Sequence, residues 1–258
     1  RAADALVRLA STNAAAGIIP TRSKKLCKGC ASLDEADTII DSLMNLPLLT
    51  WASAFPGRAG YRDLATRHAR RVAGFLLAPD GSTRQAVHVR RSDGAVLGVH
   101  THQGLHDTST WSRGQAWAVY GLAQAARDAR DPELLHAAER AATYVADRLP
   151  ADGVPPWDYD APAPAPRDVS AGAVTAAGLV RLDHACQELG SCTQQHRWLP
   201  LARRLQSGVL RHVRSAQGRA FGLLGEQVYT LGGRSRWDDD AELIWGLDYA
   251  LEAADALR

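Results

Sequence analysis

Side chains that can hold a carbohydrate are concentrated in the segment HQGLHDTSTWSRGQAW at 102–117. This segment contains two indoles, one guanidinium and two amides, in a loop and the first turns of a predicted helix. The mixture suits a hydrophobic core poorly. Indole faces, by contrast, stack on sugar rings, and Arg and Gln side chains form paired hydrogen bonds with hydroxyl and carboxylate groups. Gln103, Trp111 and Arg113 together therefore predict a carbohydrate-binding site.

The helix that starts in this segment carries Arg113, Trp117 and Tyr120 at i, i+4 and i+7, so the three share one face. Thr108 or Ser109 is the predicted N-cap, which places Arg113 close to the helix start, where backbone N–H groups point outward. The alternative is an aromatic core stripe with Arg113 paired to a carboxylate. For Trp117 and Tyr120 taken alone, that core alternative is favoured.

Asp41 is the candidate catalyst. It lies in the string TIIDSLM at 38–44, within a helix predicted over 33–51. Asp37 and Asp41 would share one face of this helix, and Asp34 would cap it. Apolar neighbours predict that the Asp41 carboxyl is partly buried, and burial raises a carboxyl pKa, so that the group can donate a proton near neutral pH. A buried aspartate that ties down a loop is the equally weighted alternative.

The elements that position these residues recur along the chain. Glycine-containing turns occur at Gly17, Gly81, Gly153 and Gly218, about 64, 72 and 65 residues apart, which indicates a repeat architecture. Segments with helical periodicity lie around these turns, and only 86–97 departs from it, as a β-hairpin with a turn at Asp93-Gly94. The helices are predicted over 3–10, 33–51, 61–77, 110–127, 132–149, 169–189, 199–213 and 239–257.

Paired helices at this repeat length predict an all-α fold, the α/α toroid, in which helical hairpins close into a ring. Such rings close with six or seven hairpins, and this chain holds about four and one small β-hairpin. The Pro-rich stretch 155–166 is interpreted as a loop on the rim of one domain spanning 1–258, because the same hairpin rhythm continues on both of its sides.

Composition excludes some classes of partner. The net charge of +2 on 258 residues predicts no nucleic-acid partner and no anionic membrane surface, and no apolar run is long enough to cross a bilayer. We expect a cytoplasmic bacterial protein, although the start at Arg1 leaves secretion open. The acidic run at 238–242 is interpreted as helix-terminal charge rather than as a calcium site.

The four cysteines lie at 27, 30, 186 and 192. Cys27 and Cys30 have the spacing of a redox or metal motif without the β-α-β pattern that a thioredoxin-like site requires. Cys186 and Cys192, or His184 and His196, could contribute to a zinc site. Unligated thiols or one disulfide are the favoured interpretation, and we expect neither a metal nor a cofactor.

Four strings resemble the bacterial unsaturated glucuronyl hydrolases, glycoside hydrolase family 88. They are DTIIDSLMNLPLL at 37–49, THQG at 101–104, TWSRGQAW at 110–117 and ELIWG at 242–246, in the family's order over nearly the whole chain. The sister family of unsaturated rhamnogalacturonyl hydrolases shares the ring fold and usually departs at RGQAW.

The resemblance implies a six-hairpin toroid that lacks roughly its first third here, and an enzyme acting on oligosaccharides left by polysaccharide lyases. Such an enzyme releases 4,5-unsaturated glucuronic acid from the non-reducing end by hydrating its vinyl ether. Asp41 matches the family's proton donor, and Gln103, Trp111, Arg113 and Trp117 match its substrate contacts.

The chain also departs from the family's pattern. Gln85 stands where the family usually has a histidine, with His88 three residues on, and both are kept as substrate-binding candidates. Thr21 and Arg22 replace an aromatic residue, and the family's second aspartate would lie before Arg1. The predicted partner is an unsaturated uronyl oligosaccharide, and the activity of this stretch by itself is left open. The alternatives are an unsaturated rhamnogalacturonyl hydrolase and a non-catalytic carbohydrate-binding remnant.

Overall fold

The computed structural model describes residues 1–21, 32–213, 224–229 and 243–258. Helices predominate in these ranges, together with one three-stranded antiparallel sheet in the order β1-β2-β3. The α-helices are α1 (Ala2–Ser11), α2 (Leu46–Ala52), α3 (Gly60–Leu76), α4 (Ser112–Ala129), α5 (Pro132–Arg148), α6 (Val169–Leu189), α7 (Trp198–Leu210) and α8 (Ile244–Ala256). The strands are β1 (Glu35–Ile39), β2 (Ala86–Arg90) and β3 (Val96–His100), and the 3₁₀ helices are Ile40–Asn45 and Gln195–Arg197.

Two long helices begin at aspartate caps. The Asp131 side chain accepts hydrogen bonds from the N–H groups of Glu133 and Leu134, and Pro132 supplies the first residue of α5. Asp168 caps α6 in the same way. These carboxylates satisfy N–H groups that lack a partner within the helix, which fixes where each helix starts.

The helices form two layers around a common core. α4 packs against α5 and α6, and α6 packs in turn against α7 and α8. Most of α4 and α6 is buried, whereas α3, α5 and α7 each keep an exposed face. Close approach depends on glycine, because a Cβ at Gly178 would lie 2.9 Å from the backbone of Tyr120. This is the arrangement expected of part of an α/α toroid.

The predicted glycine repeat corresponds to a recurring turn. Gly17, Gly81 and Gly153 have φ angles of 69°, 86° and 75°, a region that favours glycine. A Cβ at Gly81 would overlap the Arg140 carbonyl oxygen, and one at Gly153 would lie 2.8 Å from the Arg204 carbonyl oxygen. The turn after one helix therefore packs against the backbone of a later one. Gly218 lies outside the described residues.

The predicted helix over 33–51 is wrong in its first half. Residues 35–39 form β1, which pairs with β2 so that Asp37 lies opposite His88, and the 3₁₀ helix and α2 follow. Asp34 accepts a hydrogen bond from the Ser92 hydroxyl (2.7 Å) instead of capping a helix. The predicted hairpin is confirmed as β2 and β3. The free edge of this hairpin supplies backbone hydrogen-bond partners for residues 35–39, and the helical pattern in the sequence could not reveal that pairing. Because Asp37 lies in a strand, Asp37 and Asp41 do not share a helix face.

The predicted N-cap of α4 is also wrong. Trp111, with an extended backbone, holds the cap position, and no side chain among the described residues caps the helix. The Ser109 hydroxyl donates to Asp158 Oδ2 (2.7 Å) instead. Part of the Pro-rich stretch is paired with this helix start, since Ser112 N donates to the Trp157 carbonyl and Tyr159 N donates to the Thr110 carbonyl, both at 3.0 Å. The stretch thus shapes the loop before α4.

Cys186 and Cys192 form a disulfide, one of the favoured alternatives, so neither thiol is available to zinc. Cys27, Cys30 and the acidic run at 238–242 lie outside the described residues. No helix in the described part of the chain combines the length and hydropathy needed to span a bilayer.

Candidate active site

A cavity of about 410 Å³ opens beside Asp41, between the 3₁₀ helix and the helices α4 and α8. Its lining is mainly aromatic and aliphatic, with two carboxylates: Asp41, Met44, Trp117, Ile244, Trp245, Asp248 and Tyr249. Two predicted residues, Asp41 and Trp117, thus meet in one cavity although they lie on different elements.

The environment of Asp41 favours its protonated form. The residue as a whole is half-buried, but its Oδ2 atom is buried and has no well-formed hydrogen bond from any described residue. Burial raises the pKa of Asp41 from the ordinary 3.8 to about 6, against the smaller lowering effects of its own backbone N–H, Arg113 and Trp117. With this pKa about a tenth of the molecules keep the carboxyl group protonated at pH 7, far more than at the ordinary pKa, and the group can act as a general acid.

The aromatic wall of the cavity is held by ring contacts. Trp117 and Tyr249 meet edge to face with centroids 5.5 Å apart, and Tyr120 meets Tyr249 at 5.0 Å. Trp117 is 8% exposed, so only a small part of its indole reaches the cavity. Tyr120 lies behind this wall and donates to Glu252 (3.2 Å), so it has the core role predicted as its alternative.

Arg113 is buried, and both of its terminal nitrogens, Nη1 and Nη2, donate to other groups of the protein. Its side chain forms an ion pair with Asp168 (2.8 Å), donates to the Val228 carbonyl, and reaches the Tyr229 carbonyl at 3.0 Å. With only 1% of its surface exposed, it holds segment 224–229 against α4. Its predicted contact with substrate stays a prediction, and the predicted pairing with a carboxylate is present.

Gln85 organises the loop that precedes α4. Its carbonyl oxygen accepts hydrogen bonds from Thr101 Oγ1 (2.6 Å), His102 N (2.6 Å) and Gln103 N (2.9 Å). Its amide nitrogen donates to Gln103 Oε1 (2.9 Å), and Gln103 in turn donates to the Tyr229 carbonyl (2.9 Å). Gln103 and Arg113 therefore donate to the same carbonyl oxygen, that of Tyr229. The hydrogen bonds with Gln85 hold Gln103 in place.

Trp111 and His88 lie outside the cavity lining. Trp111 is 3% exposed and packs beneath the Arg113 guanidinium, 4.6 Å from its ring centroid. His88 packs against His100, with ring centroids 4.1 Å apart. The predicted substrate contacts of both residues stay predictions.

Sequence reasoning missed part of the site. Trp245 and Tyr249 lie one helical turn apart on α8, and this i, i+4 spacing was a visible signal for one aromatic face. Asp168 was also visible in the sequence as an aspartate that could cap the apolar helix after it, α6. Its pairing with Arg113, 55 residues earlier, could come only from the tertiary structure.

Comparison with known proteins identifies relatives. An unsaturated glucuronyl hydrolase from Bacillus sp. (strain GL1) is 37% identical over 221 residues, which make up 83% of this chain and 57% of that relative. The crystal structure of unsaturated glucuronyl hydrolase from Bacillus sp. GL1, described as responsible for the degradation of glycosaminoglycan, matches with a TM-score of 0.87 and 35% identity. That match covers 98% of this chain and 65% of the other.

A structure of a UGL variant with dGlcA-Glc-Rha-Glc matches equally well, with a TM-score of 0.87 and 34% identity over 98% of this chain and 65% of that one. No protein-family model matches the chain. The predicted α/α toroid is confirmed over the part of the fold that the chain contains, with a three-stranded sheet in place of a lone hairpin. The chain spans less than two thirds of these relatives and is homologous, over that length, to the unsaturated glucuronyl hydrolases of glycoside hydrolase family 88.

Proposed function

We propose that the protein to which this chain belongs removes the 4,5-unsaturated glucuronic acid residue from the non-reducing end of lyase-generated oligosaccharides. The observation that carries the proposal is the Asp41 carboxyl group, whose pKa burial raises to about 6 where it faces an aromatic cavity. The homology agrees, because the similar hydrolases include one described as acting in glycosaminoglycan degradation and one studied with an oligosaccharide beginning in dGlcA.

In the proposed reaction, Asp41 donates its proton to C4 of the unsaturated sugar. The C4–C5 double bond is consumed as the new C4–H bond forms, and water adds to C5. The proton that the water loses restores the acid. The resulting hemiketal breaks its bond from C5 to the ring oxygen, which opens the ring and leaves a ketone at C5 and a hemiacetal at C1. That hemiacetal becomes an aldehyde as the bond from C1 to the glycosidic oxygen breaks, and the remaining saccharide leaves with its hydroxyl group. Only one carboxylic acid of this chain is needed for the proton transfer to carbon, so the scheme differs from direct displacement at the anomeric carbon by two carboxylates.

The cavity suits a planar, partly apolar sugar ring. Trp117, Trp245 and Tyr249 supply aromatic surface, and an unsaturated uronate ring is flatter than a saturated one. In this proposal Arg113 acts mainly as a positioning residue. It holds Tyr229, whose ring packs 6.5 Å from that of Trp245, so loosening Arg113 would move the aromatic wall.

The test is an Asp41→Asn variant of the full-length protein, assayed by the loss of double-bond ultraviolet absorbance from an unsaturated disaccharide. We expect kcat to fall by about 10²–10⁴-fold, the usual contribution of a general acid. Asp255→Asn makes the same chemical change at an exposed carboxylate of α8 and is the matched control. Near-normal turnover by the Asp41 variant would overturn the proposal.

The alternatives have their own readouts. If unsaturated galacturonyl-rhamnose is turned over faster than the glucuronyl substrate, the protein is an unsaturated rhamnogalacturonyl hydrolase. Equilibrium binding of either sugar by the full-length wild type without turnover would identify a non-catalytic carbohydrate-binding protein.

A further inference from the structure

A second cluster of chemically capable side chains lies on the sheet, outside the Asp41 cavity. Asp37 of β1, His100 at the end of β3 and His102 just beyond it each offer one ligand atom, and these atoms lie within 4.8 Å of one another. The Nε2 atoms of the two histidines are 3.2 Å apart. β1 and β3 are both paired with β2, so the backbone hydrogen bonds of the sheet hold Asp37 and His100 in place, and His102 follows two residues after His100.

Asp37 points to a ligand independently of this convergence. The residue is 2% exposed, and its Oδ1 atom is buried without a hydrogen-bond partner among the described residues. A buried carboxylate oxygen without a partner is costly, and coordination of a cation is one of the few ways to satisfy it. Arg91 is near enough to interact with the charge of Asp37 but forms no hydrogen bond with it. Its Nε donates to the Glu35 carbonyl and its Nη1 to the Asn13 side chain, and its Nη2 has no partner among the described residues.

The separation of the two imidazoles suits a metal ion. Ligand nitrogens about 2.0–2.1 Å from a tetrahedral zinc ion are about 3.3–3.4 Å apart, close to the 3.2 Å found between these Nε2 atoms. Two histidines and one carboxylate form a donor set that zinc accepts, and such sites keep a further position for water. The second group with ligand-like spacing, Glu139 with Cys186 and Cys192, is different because its sulfur atoms are already in a disulfide.

We propose that Asp37, His100 and His102 form a binding site for one divalent transition-metal ion of the zinc type. The ion would link β1 to the loop that carries Gln103. Asp41 lies four residues after Asp37, so the ion would hold the segment before Asp41 close to that loop. His102 is already tied to this loop, because its backbone N–H donates to Gln85. The site is therefore a positioning device for the two sides of the candidate active site, and the ion takes no part in the reaction. His88 packs on His100 and supports its ring.

The alternative is a metal-free cluster in which the two imidazoles share one proton and Asp37 balances their charge. The experiment that separates the two uses the full-length protein without a histidine tag. After treatment with a chelator and dialysis against zinc, bound metal is counted by mass spectrometry, and affinity is measured by competition with a chromophoric chelator. The readout is metal content, so the result does not depend on the proposed hydrolase activity.

We expect about one zinc ion per chain, with affinity at least about tenfold lower in Asp37→Asn and in His102→Ala, since even loss of an outer-shell partner lowers metal affinity about 10–100-fold. His106→Ala, an exposed histidine of the same loop, is the matched control and should bind zinc as the wild type does. Because Asp37→Asn alters a buried residue, the wild type is also loaded with cobalt, whose visible absorption should show tetrahedral nitrogen and oxygen ligands. Failure of the wild type to bind stoichiometric zinc, or equal affinity in all variants, would overturn the proposal.

Discussion

Replacing Asp41 with asparagine should stabilise the folded protein above about pH 6 while it lowers kcat by about 10²–10⁴-fold. The reason is the burial that makes Asp41 a proton donor. Ionising a carboxyl group in this environment is unfavourable, and the raised pKa measures that penalty. An asparagine of nearly the same shape carries no charge at any pH.

The size of the effect follows from the shift in pKa. Burial raises the pKa of Asp41 from 3.8 to about 6 in the folded state, and each pKa unit corresponds to about 1.4 kcal/mol. Ionised Asp41 therefore lowers the free energy of unfolding by about 2–3 kcal/mol, with the lower end favoured because the residue keeps some exposure to solvent. Below about pH 4 the carboxyl group is protonated in both states and the penalty vanishes. It develops between about pH 4 and pH 6 and is complete above that range.

The assay is urea unfolding of the full-length wild type, Asp41→Asn and the control Asp255→Asn at about pH 4 and about pH 8. The difference between Asp41→Asn and the wild type should increase by about 2–3 kcal/mol from the lower to the higher pH, whereas Asp255→Asn should follow the wild type. If the difference in the free energy of unfolding between Asp41→Asn and the wild type is the same at both pH values, the folded protein does not disfavour the ionised form of Asp41. The argument for a general acid would then fail with it.

Three further predictions concern the same region and the outer helices. The value of kcat/KM should fall as pH rises through an apparent pKa of about 6, because only protonated Asp41 donates; a profile that rises there would contradict this role. Asp168→Asn should lower the free energy of unfolding by about 3–5 kcal/mol in urea unfolding, since it leaves Arg113 buried without its counter-charge, and a loss below about 1 kcal/mol would refute the buried pair. Replacing Cys186 and Cys192 by serine opens a loop with a sequence separation of 6 and should cost about 2 kcal/mol by the same assay, with no change expected if the thiols are unpaired in solution.

Local sequence patterns were sufficient for most helices. The predicted helix over 169–189 coincides with α6, and that over 132–149 differs from α5 by one residue. Caps and apolar periodicity act within a few turns of one helix, so the residues that determine these elements are neighbours in sequence. The same holds for the glycine turns, whose positive φ angles are required locally.

Strand β1 shows where local patterns fail. The string EADTI at 35–39 is compatible with a helix or a strand, and the edge of the β2–β3 hairpin, about 50 residues away, decides between them. Once 35–39 is a strand, Asp37 points toward the histidines instead of lying on one helix face with Asp41. The pairing of β1 with β2 thus determines which groups the Asp37 carboxylate faces, and the sequence near Asp37 does not contain that information.

The sequence by itself determined which side chains of this protein could do chemistry: a carboxyl group among apolar neighbours at Asp41 and an aromatic, amide-rich segment at 102–117. The tertiary structure decided what each one contacts. It placed Trp117 at the cavity of Asp41, buried Arg113 against Asp168, and brought α8 across to close the aromatic wall. The physical reason is that burial, ion pairing and pKa depend on the atoms that surround a group in space, and those atoms come from distant parts of the chain.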